Sequence, residues 1–400
     1  TKRKSNQYMI RLLYLLNRYF NYIYDLDQIT IYNCIRSMKK VLIVFNHPAP
    51  YKVRLFNELS KFFDLHVIFE RQANKDRNKV FYFEENYQFT EHKIKGLAIG
   101  KENFISNGLI KHFKNNHYDL IIMNGYSQFA EMRAIRYLKK QQIPYVLYIN
   151  GGIINFKESN FKKKLKTKFI SGAKSYFSPD EESNKYLKYY GAQESLILNY
   201  PYSTIFDSEI ISEQVNKIEL RKTLNIHASK LFVYSGQLIK RKNILPLVKE
   251  WKNYPDDYVL YLIGDGNQKN EICDFIRENT MKNVYLTGFL PRNETLKYLR
   301  AADAFLFPSS EDIYGHVVNE SLSQGTPVIS TKHANSSLKL INDKQNGFLL
   351  NSFNGDELKN AIDFCLTNDL FNNCISTAKE NTIELMTKAH VDMINKVVKL

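Results

Sequence analysis

Residues 302–330 read ADAFLFPSSEDIYGHVVNESLSQGTPVIS. An apolar run stopping at Pro308, a polar loop, an apolar-patterned segment from about His316 to Gln324 and a closing Gly325 predict a strand, a loop and a glycine-capped helix. A helix that begins straight after Gly315 points its first amide N–H groups, and the positive end of its dipole, at whatever lies beyond the strand, which makes a seat for phosphate. Asp312 precedes this helix and Glu320 lies within it. At a spacing of eight residues one carboxylate is expected at the helix mouth and the other deeper on the same side. Two carboxylates flanking an anion seat can grip two sets of hydroxyls by charge-assisted hydrogen bonds. The plainer alternative makes Glu320 a core or capping acid and Asp312 a solvated loop residue.

Working outward, short β-rich runs alternate with helical patterns. LFVYS (231–235), VLYLIG (259–264), VYLTG (284–288), AFLFP (304–308), PVIS (327–330) and GFLL (347–350) are strand candidates on one side of residue 228. KVLIVF (40–45), LHVIFE (65–70), LIIM (120–123) and YVLYI (145–149) are candidates on the other, with helices expected at 52–63 and 129–140. Such alternation is the mark of an α/β chain with parallel sheets covered on both faces. Residues 199–228 break the rhythm. The expected organisation is an N-terminal extension of uncertain helical character (1–37), a first doubly wound, Rossmann-like domain (38–205) and a second (206–380). A C-terminal helix (381–400) could cross back to the first domain. Ligands of such sheets bind beyond the carboxyl ends of the strands, so the expected site is the cleft between the domains.

Two more loops of the second half fall at such strand ends. YSGQLIKRKN (234–243) passes through Gly236, where backbone can approach a ligand closely, and then supplies Lys240, Arg241 and Lys242. LIGDGNQKN (262–270) places Gly264 and Gly266 before a helix. A lone G-x-G or a basic triplet is a weak signal, but these loops and the 312–320 segment converge on one end of one sheet.

Composition narrows the partner. The 400 residues are 44% hydrophobic, which excludes disordered and low-complexity classes. The formal charge is +15, and counted by halves it is +16 over residues 1–200 and −1 over residues 201–400. The excess therefore belongs to one domain and calls for an anionic partner: nucleic acid, a membrane surface or a phosphorylated molecule. Cys34, Cys273, Cys365 and Cys374 are dispersed, with no zinc spacing, which suits a reducing cytoplasm. Residues 8–24 (YMIRLLYLLNRYFNYIY) are interrupted by Arg11, Asn17, Arg18 and Asn21, so a membrane-contacting or docked amphipathic helix is expected there and a span is not.

On the motifs quoted, together with NGFLL, and more faintly on NHPAPYKVRLFNEL (46–59) and YINGGII (148–154), residues of about 40–385 resemble glycosyltransferase family 4, retaining nucleotide-sugar enzymes of the GT-B fold. The resemblance implies that Lys242 neutralises the donor diphosphate, helped by Arg241, with the amides of Gly315, His316 and Val317 on its oxygens. It further implies that Asp312 holds the sugar hydroxyls, unless Glu311 does so by a one-residue shift, and that Glu320 holds the ribose. Gly288 and Phe289 would meet the nucleobase, with Gly236, Gly264 and Gly266 shaping the pocket. A family arginine is replaced by Gln237 and a cleft histidine by Asn150, an amide that hydrogen-bonds but cannot act as a base. No cofactor or metal is implied.

The acceptor, a glycan or polyprenyl-diphosphate-linked glycan, would meet His47, Tyr51, Lys52, Arg54 and Gly151 of the first domain. FKKKLKTKF (161–169) reads equally as a solvated helix or as an interfacial element in which Lys162, Lys163, Lys166 and Phe169 face anionic lipid. A peripheral enzyme at the cytoplasmic face of the cell membrane, building surface polysaccharide, is the leading expectation. Alternatives are a non-hydrolysing nucleotide-sugar epimerase of GT-B type and a non-catalytic protein that binds anionic surfaces. Nucleic acid is not expected, because no binding module is recognisable.

Overall fold

The computed structural model describes residues 38–71, 86–99 and 103–399; the expected N-terminal extension lies outside them. Among the described residues nine strands precede residue 200: β1 (Lys40–Phe45), β2 (Asp64–Phe69), β3 (Thr90–His92), β4 (Leu97–Ile99), β5 (Asn103–Ile105), β6 (Leu120–Asn124), β7 (Tyr145–Tyr148), β8 (Ser175–Ser178) and β9 (Ile197–Asn199). Seven of them form a parallel sheet in the order β3-β2-β1-β6-β7-β8-β9, and β4 and β5 form a separate antiparallel hairpin. After residue 229 come β10 (Lys230–Ser235), β11 (Tyr258–Ile263), β12 (Val284–Gly288), β13 (Ala304–Phe307), β14 (Val328–Thr331) and β15 (Gly347–Leu350). These make a second parallel sheet, ordered β12-β11-β10-β13-β14-β15.

Burial on both faces explains the unbroken apolar runs of the central strands. In β1 the side chains split with period two. Val41, Ile43 and Phe45 pack into one cluster, whereas Leu42 and Val44 pack into the cluster on the opposite face. The first of these clusters is completed by Met386, Met393, Ile394 and Val397 of the last helix, Ile383–Lys399, so the chain's end covers the sheet on which the described chain begins.

In each sheet the order reverses once: between β1 and β6 in the first, and between β10 and β13 in the second. Loops leaving neighbouring strands diverge there, and a crevice opens beyond their carboxyl ends. The linker threads between the domains through buried Tyr200, Tyr202 and Ile205. It is tied down by Tyr314 Oη donating to the Tyr202 carbonyl (2.9 Å), Asn319 Nδ2 donating to Ser203 Oγ (3.0 Å) and the Ile383 amide donating to the Ile205 carbonyl (2.7 Å).

Candidate active site

At the reversal point of the second sheet, β10 runs into Gly236 at φ +152° and β11 into Gly264 at φ +143°. A Cβ on Gly264 would sit 1.9 Å from the Gly236 carbonyl oxygen, and one on Gly266 would sit 2.3 Å from that of Leu238, so the two loops pack backbone against backbone. The basic triplet forms a single tight turn, Lys240–Lys242, closed by Asn243 in the left-handed region. That turn folds onto the loop after β13. The Ser310 amide donates to the Arg241 carbonyl (2.9 Å), and Arg241 Nη1 donates to the Glu311 carbonyl (3.0 Å). Lys242 Nζ ion-pairs with Asp312 Oδ2 and lies over the Phe307 ring. Both side chains are about a tenth exposed. Arg241 Nη1 approaches the other Asp312 oxygen at 3.7 Å. Asp312 is thus the carboxylate that the basic turn engages, while Glu311 is exposed.

The helix expected at 316–324 spans Val317–Ser323. Gly315, at φ +95°, lets the chain pass against Phe307 and Ser336, where a Cβ would be 2.8 and 3.0 Å away. The His316 ring sits among Tyr202 (4.3 Å), Tyr51 (4.6 Å) and Tyr314 (5.1 Å), so the start of this helix is built against the linker and the first domain as well. Gln237 is half-buried, and its carbonyl accepts from Tyr234 Oη (2.9 Å). Gly288 ends β12, at the sheet's edge, with Phe289 following it, and the Gly288 carbonyl accepts from the Gly264 amide (2.8 Å).

The two acids do not share a cluster, contrary to the expectation from their spacing. Glu320 Oε1 accepts from Thr204 Oγ1 (3.2 Å) and Arg292 Nε (3.3 Å), whereas Asp312 is bound to the basic turn. Arg292 also binds Glu209 (2.5 Å), and Glu209 binds Arg54 (3.1 Å). The series Arg54, Glu209, Arg292, Glu320 therefore links the first domain, the linker and the second domain. Burial acts to raise the Glu209 pKa, but Arg292, the Phe206 amide and Arg54 outweigh it and hold the carboxyl below its usual range.

On the first-domain side, Asn150 follows β7 with both ends of its amide engaged. Nδ2 donates to Asn124 Oδ1 (2.9 Å), and Oδ1 accepts from Tyr202 Oη (3.0 Å). Gly151, at φ +142°, lies against the second domain; a Cβ there would be 2.1 Å from Ile313 Cγ2. His47 is half-buried at the end of β1, and Tyr51 faces His316.

Two expected acceptor residues are placed elsewhere. Lys52 is fully buried, hydrogen-bonded to Tyr148 Oη, with its Nζ 4.4 Å from the ring centroids of both Tyr148 and Tyr202. Burial pushes its ammonium well below the ordinary lysine value, and nothing entering the cleft reaches it. Arg54 is committed to Glu209 and the Phe206 ring. Of the two readings of the basic helix, Asn160–Ile170, the shared interfacial face of Lys162, Lys163, Lys166 and Phe169 is not formed. Phe169 is buried and Lys166 is tied to Glu158 (2.8 Å) and Tyr190 Oη (3.1 Å). Phe161 (74% exposed) and, just before the helix, Phe156 (77%) stand in solvent beside exposed Lys157, Lys162, Lys164 and Lys168.

Thr204, Glu209, Arg292, Asn124 and Tyr202 carry much of this geometry and were not singled out by motif. They come from separate segments, and only the folded chain brings them together.

Residues 216–381 match the family model described as glycosyl transferases group 1. A putative teichuronic acid biosynthesis glycosyltransferase, TuaC of Bacillus subtilis, is 28% identical over 193 residues, 48% of this chain and 47% of that protein. An N-acetylgalactosamine-N,N′-diacetylbacillosaminyl-diphospho-undecaprenol 4-alpha-N-acetylgalactosaminyltransferase of Campylobacter jejuni is 28% identical over 141 residues, 35% of this chain and 38% of that protein. The chain thus spans less than half the length of these two relatives. Anabaena HepE in complex with UDP superposes with a TM-score of 0.73 at 16% identity, covering 89% of this chain and all of that one. The fold is GT-B: two Rossmann-like domains facing one another across a cleft.

Proposed function

We propose that this chain is a retaining glycosyltransferase of family 4 that moves a sugar from a nucleotide diphosphate to a lipid-linked glycan. The observation that carries this is the Lys242–Asp312 pair at the reversal point of the second sheet, beside the start of the Val317–Ser323 helix, with the adjoining Ile313 against Gly151 of the first domain. A diphosphate entering there meets Lys242, Arg241 and the amides of Gly315, His316 and Val317. As the bond between sugar and phosphate loosens, negative charge grows on the departing oxygen, and fixed cations and amides in a water-poor cleft stabilise it. Asp312 orients Lys242 and offers its second oxygen to the sugar hydroxyls. Glu320, fixed by Arg292 and Thr204, faces the ribose. The leaving phosphate oxygen takes the proton of the acceptor hydroxyl as the new glycosidic bond forms on the same face, so the anomeric configuration is retained and no protein base is needed. The proposed transfer uses no metal or other cofactor.

The acceptor approaches from the first domain, past His47, Tyr51 and Gly151. Its lipid is held at a cytoplasmic membrane face by the exposed aromatic and basic patch around Phe156 and Phe161, where rings insert at the headgroup boundary and lysines meet anionic lipid. Support comes from the charge of the first half, and from the lipid diphosphate in the name of the Campylobacter relative. Surface-polysaccharide synthesis is the setting that this implies.

The test is a panel of nucleotide sugars incubated with the chain and an undecaprenyl-diphosphate glycan, followed by NMR of the product. One donor is expected to be consumed with its anomeric configuration kept. Inversion, or sugar nucleotide altered without an acceptor, would contradict the proposal.

A further inference from the structure

The reversal point of the first sheet holds a buried acidic pair with no part in the transfer described above. Glu70 follows β2, and its amide donates to the Phe45 carbonyl (2.9 Å), which places it beside the end of β1. Glu131 lies in the first turn of the helix Phe129–Lys140, which follows β6. Its carboxylate accepts from the Gln128 amide (2.9 Å) and packs so closely on Gly125 that a Cβ there would be 2.8 Å from an Oε. The two acids therefore flank the crevice between β1 and β6, where a doubly wound sheet binds its ligand. Arg71 lies alongside, with Nη2 donating to Gln128 Oε1 (3.1 Å).

Glu70 is 4% exposed, and among the described residues neither of its carboxyl oxygens has a hydrogen-bond partner. A buried polar group without a partner is destabilising, and an apolar side chain of the same size would avoid that cost. Helix capping accounts for Glu131 and leaves Glu70 unexplained. Burial and the Glu131 carboxylate both raise the Glu70 pKa, against the pull of Arg71, and burial raises that of Glu131. Two neighbouring carboxyls that resist ionising together, beside one guanidinium, make a site that is nearly neutral but rich in acceptors, with one O–H donor. Neutral polyols match that inventory. A cation would find Arg71 against it, and an anion would find the carboxylate.

We infer that Glu70 and Glu131, with Arg71 and Gln128, form a binding subsite for adjacent hydroxyls of a neutral sugar, which we assign to the glycan of the acceptor. The assignment to the acceptor rests on the proposed transfer; the sugar-binding subsite does not.

The full chain is titrated with the methyl glycosides of glucose, galactose, N-acetylglucosamine and N-acetylgalactosamine, followed by saturation-transfer NMR, with UDP and GDP titrated separately. At least one glycoside is expected to bind saturably. Glu70→Leu should weaken it tenfold or more, and Glu70→Gln, which keeps hydrogen-bonding capacity, by less than threefold, with nucleotide affinity unchanged in both. Glu70→Leu should fold with an undiminished melting temperature, since it removes an unpartnered acid; Glu131→Gln, which keeps an acceptor for the Gln128 amide, should like Glu70→Gln weaken glycoside binding by less than threefold. Failure of every glycoside to bind, or equal binding by Glu70→Leu and the parent chain, overturns the subsite. A chain that binds a glycoside through Glu70 but no nucleotide would refute the transferase and leave the subsite standing.

Discussion

Lys242 and Asp312, seventy residues apart in sequence, form an ion pair about a tenth exposed at the point where the second sheet reverses its strand order. Removing the cation leaves a buried carboxylate without its main partner, which typically costs about 3–5 kcal/mol. Lys242→Ala is therefore expected to lower the melting temperature as well as kcat/KM for donor turnover, the latter by a hundredfold or more. Lys242→Arg should recover part of both. Calorimetry and initial rates on the same preparations check this.

The series Arg54, Glu209, Arg292, Glu320 crosses all three parts of the chain. Arg292→Ala breaks its central link and should destabilise the protein by about 2–4 kcal/mol, since partly buried charges are left unpaired. Because Glu209 and Arg292 share one network, the double variant with Glu209→Gln should be less damaged than the sum of the singles, by about 1 kcal/mol or more. Urea denaturation of the four proteins measures the coupling; strict additivity would show the contacts to be independent.

His390 of the last helix is buried among Tyr148, Phe177, Tyr200 and Lys52, with Nδ1 on the Met386 carbonyl (2.7 Å). Burial pushes its pKa down to about 3, with the Met386 carbonyl opposing the fall and Lys52 adding to it. Below the unfolded value of about 6.5 the unfolded chain binds the proton and the folded chain does not, so stability falls as pH drops toward 3. The expected loss at pH 5 is about 2 kcal/mol relative to neutral pH. His390→Phe should flatten that slope in melts run between pH 7.5 and 5.

Gly151 touches Ile313 across the cleft. Gly151→Ala puts a Cβ 2.1 Å from Ile313 Cγ2 and 2.6 Å from its carbonyl oxygen, at a φ that alanine disfavours, so the domains must part. Nucleotide affinity should stay within threefold while kcat falls tenfold or more, because closure excludes water from the reacting centre. Steady-state kinetics with isothermal titration separate the two effects.

The fold was legible wherever burial forces a pattern. Continuous apolar runs marked β1, β6, β7 and β10–β15 to within a residue or so, because strands covered on both faces admit few polar side chains. SYFS (175–178) and ILN (197–199), short runs ending in polar residues, carried no such mark and are β8 and β9. The loops at the second sheet's carboxyl ends were legible because Gly236, Gly264 and Gly315 are backbone requirements, and these show in sequence as glycines near strand ends. Side-chain pairing was not legible. Glu320 was expected beside Asp312 on helical spacing, but Arg292 and Thr204, which claim it, arrive from elsewhere in the chain. Lys52 read as an acceptor contact because nothing local announces the aromatic cage that Tyr148, Tyr200 and Tyr202 build around it.

The most direct test of donor binding at the Lys242–Asp312 pair is isothermal titration of a nucleotide-sugar panel into the parent chain and Lys242→Ala. At least one nucleotide sugar should bind the parent chain with micromolar affinity and bind the variant thirtyfold or more weakly. Binding that is unchanged by the substitution, or absent for every nucleotide sugar, would contradict it.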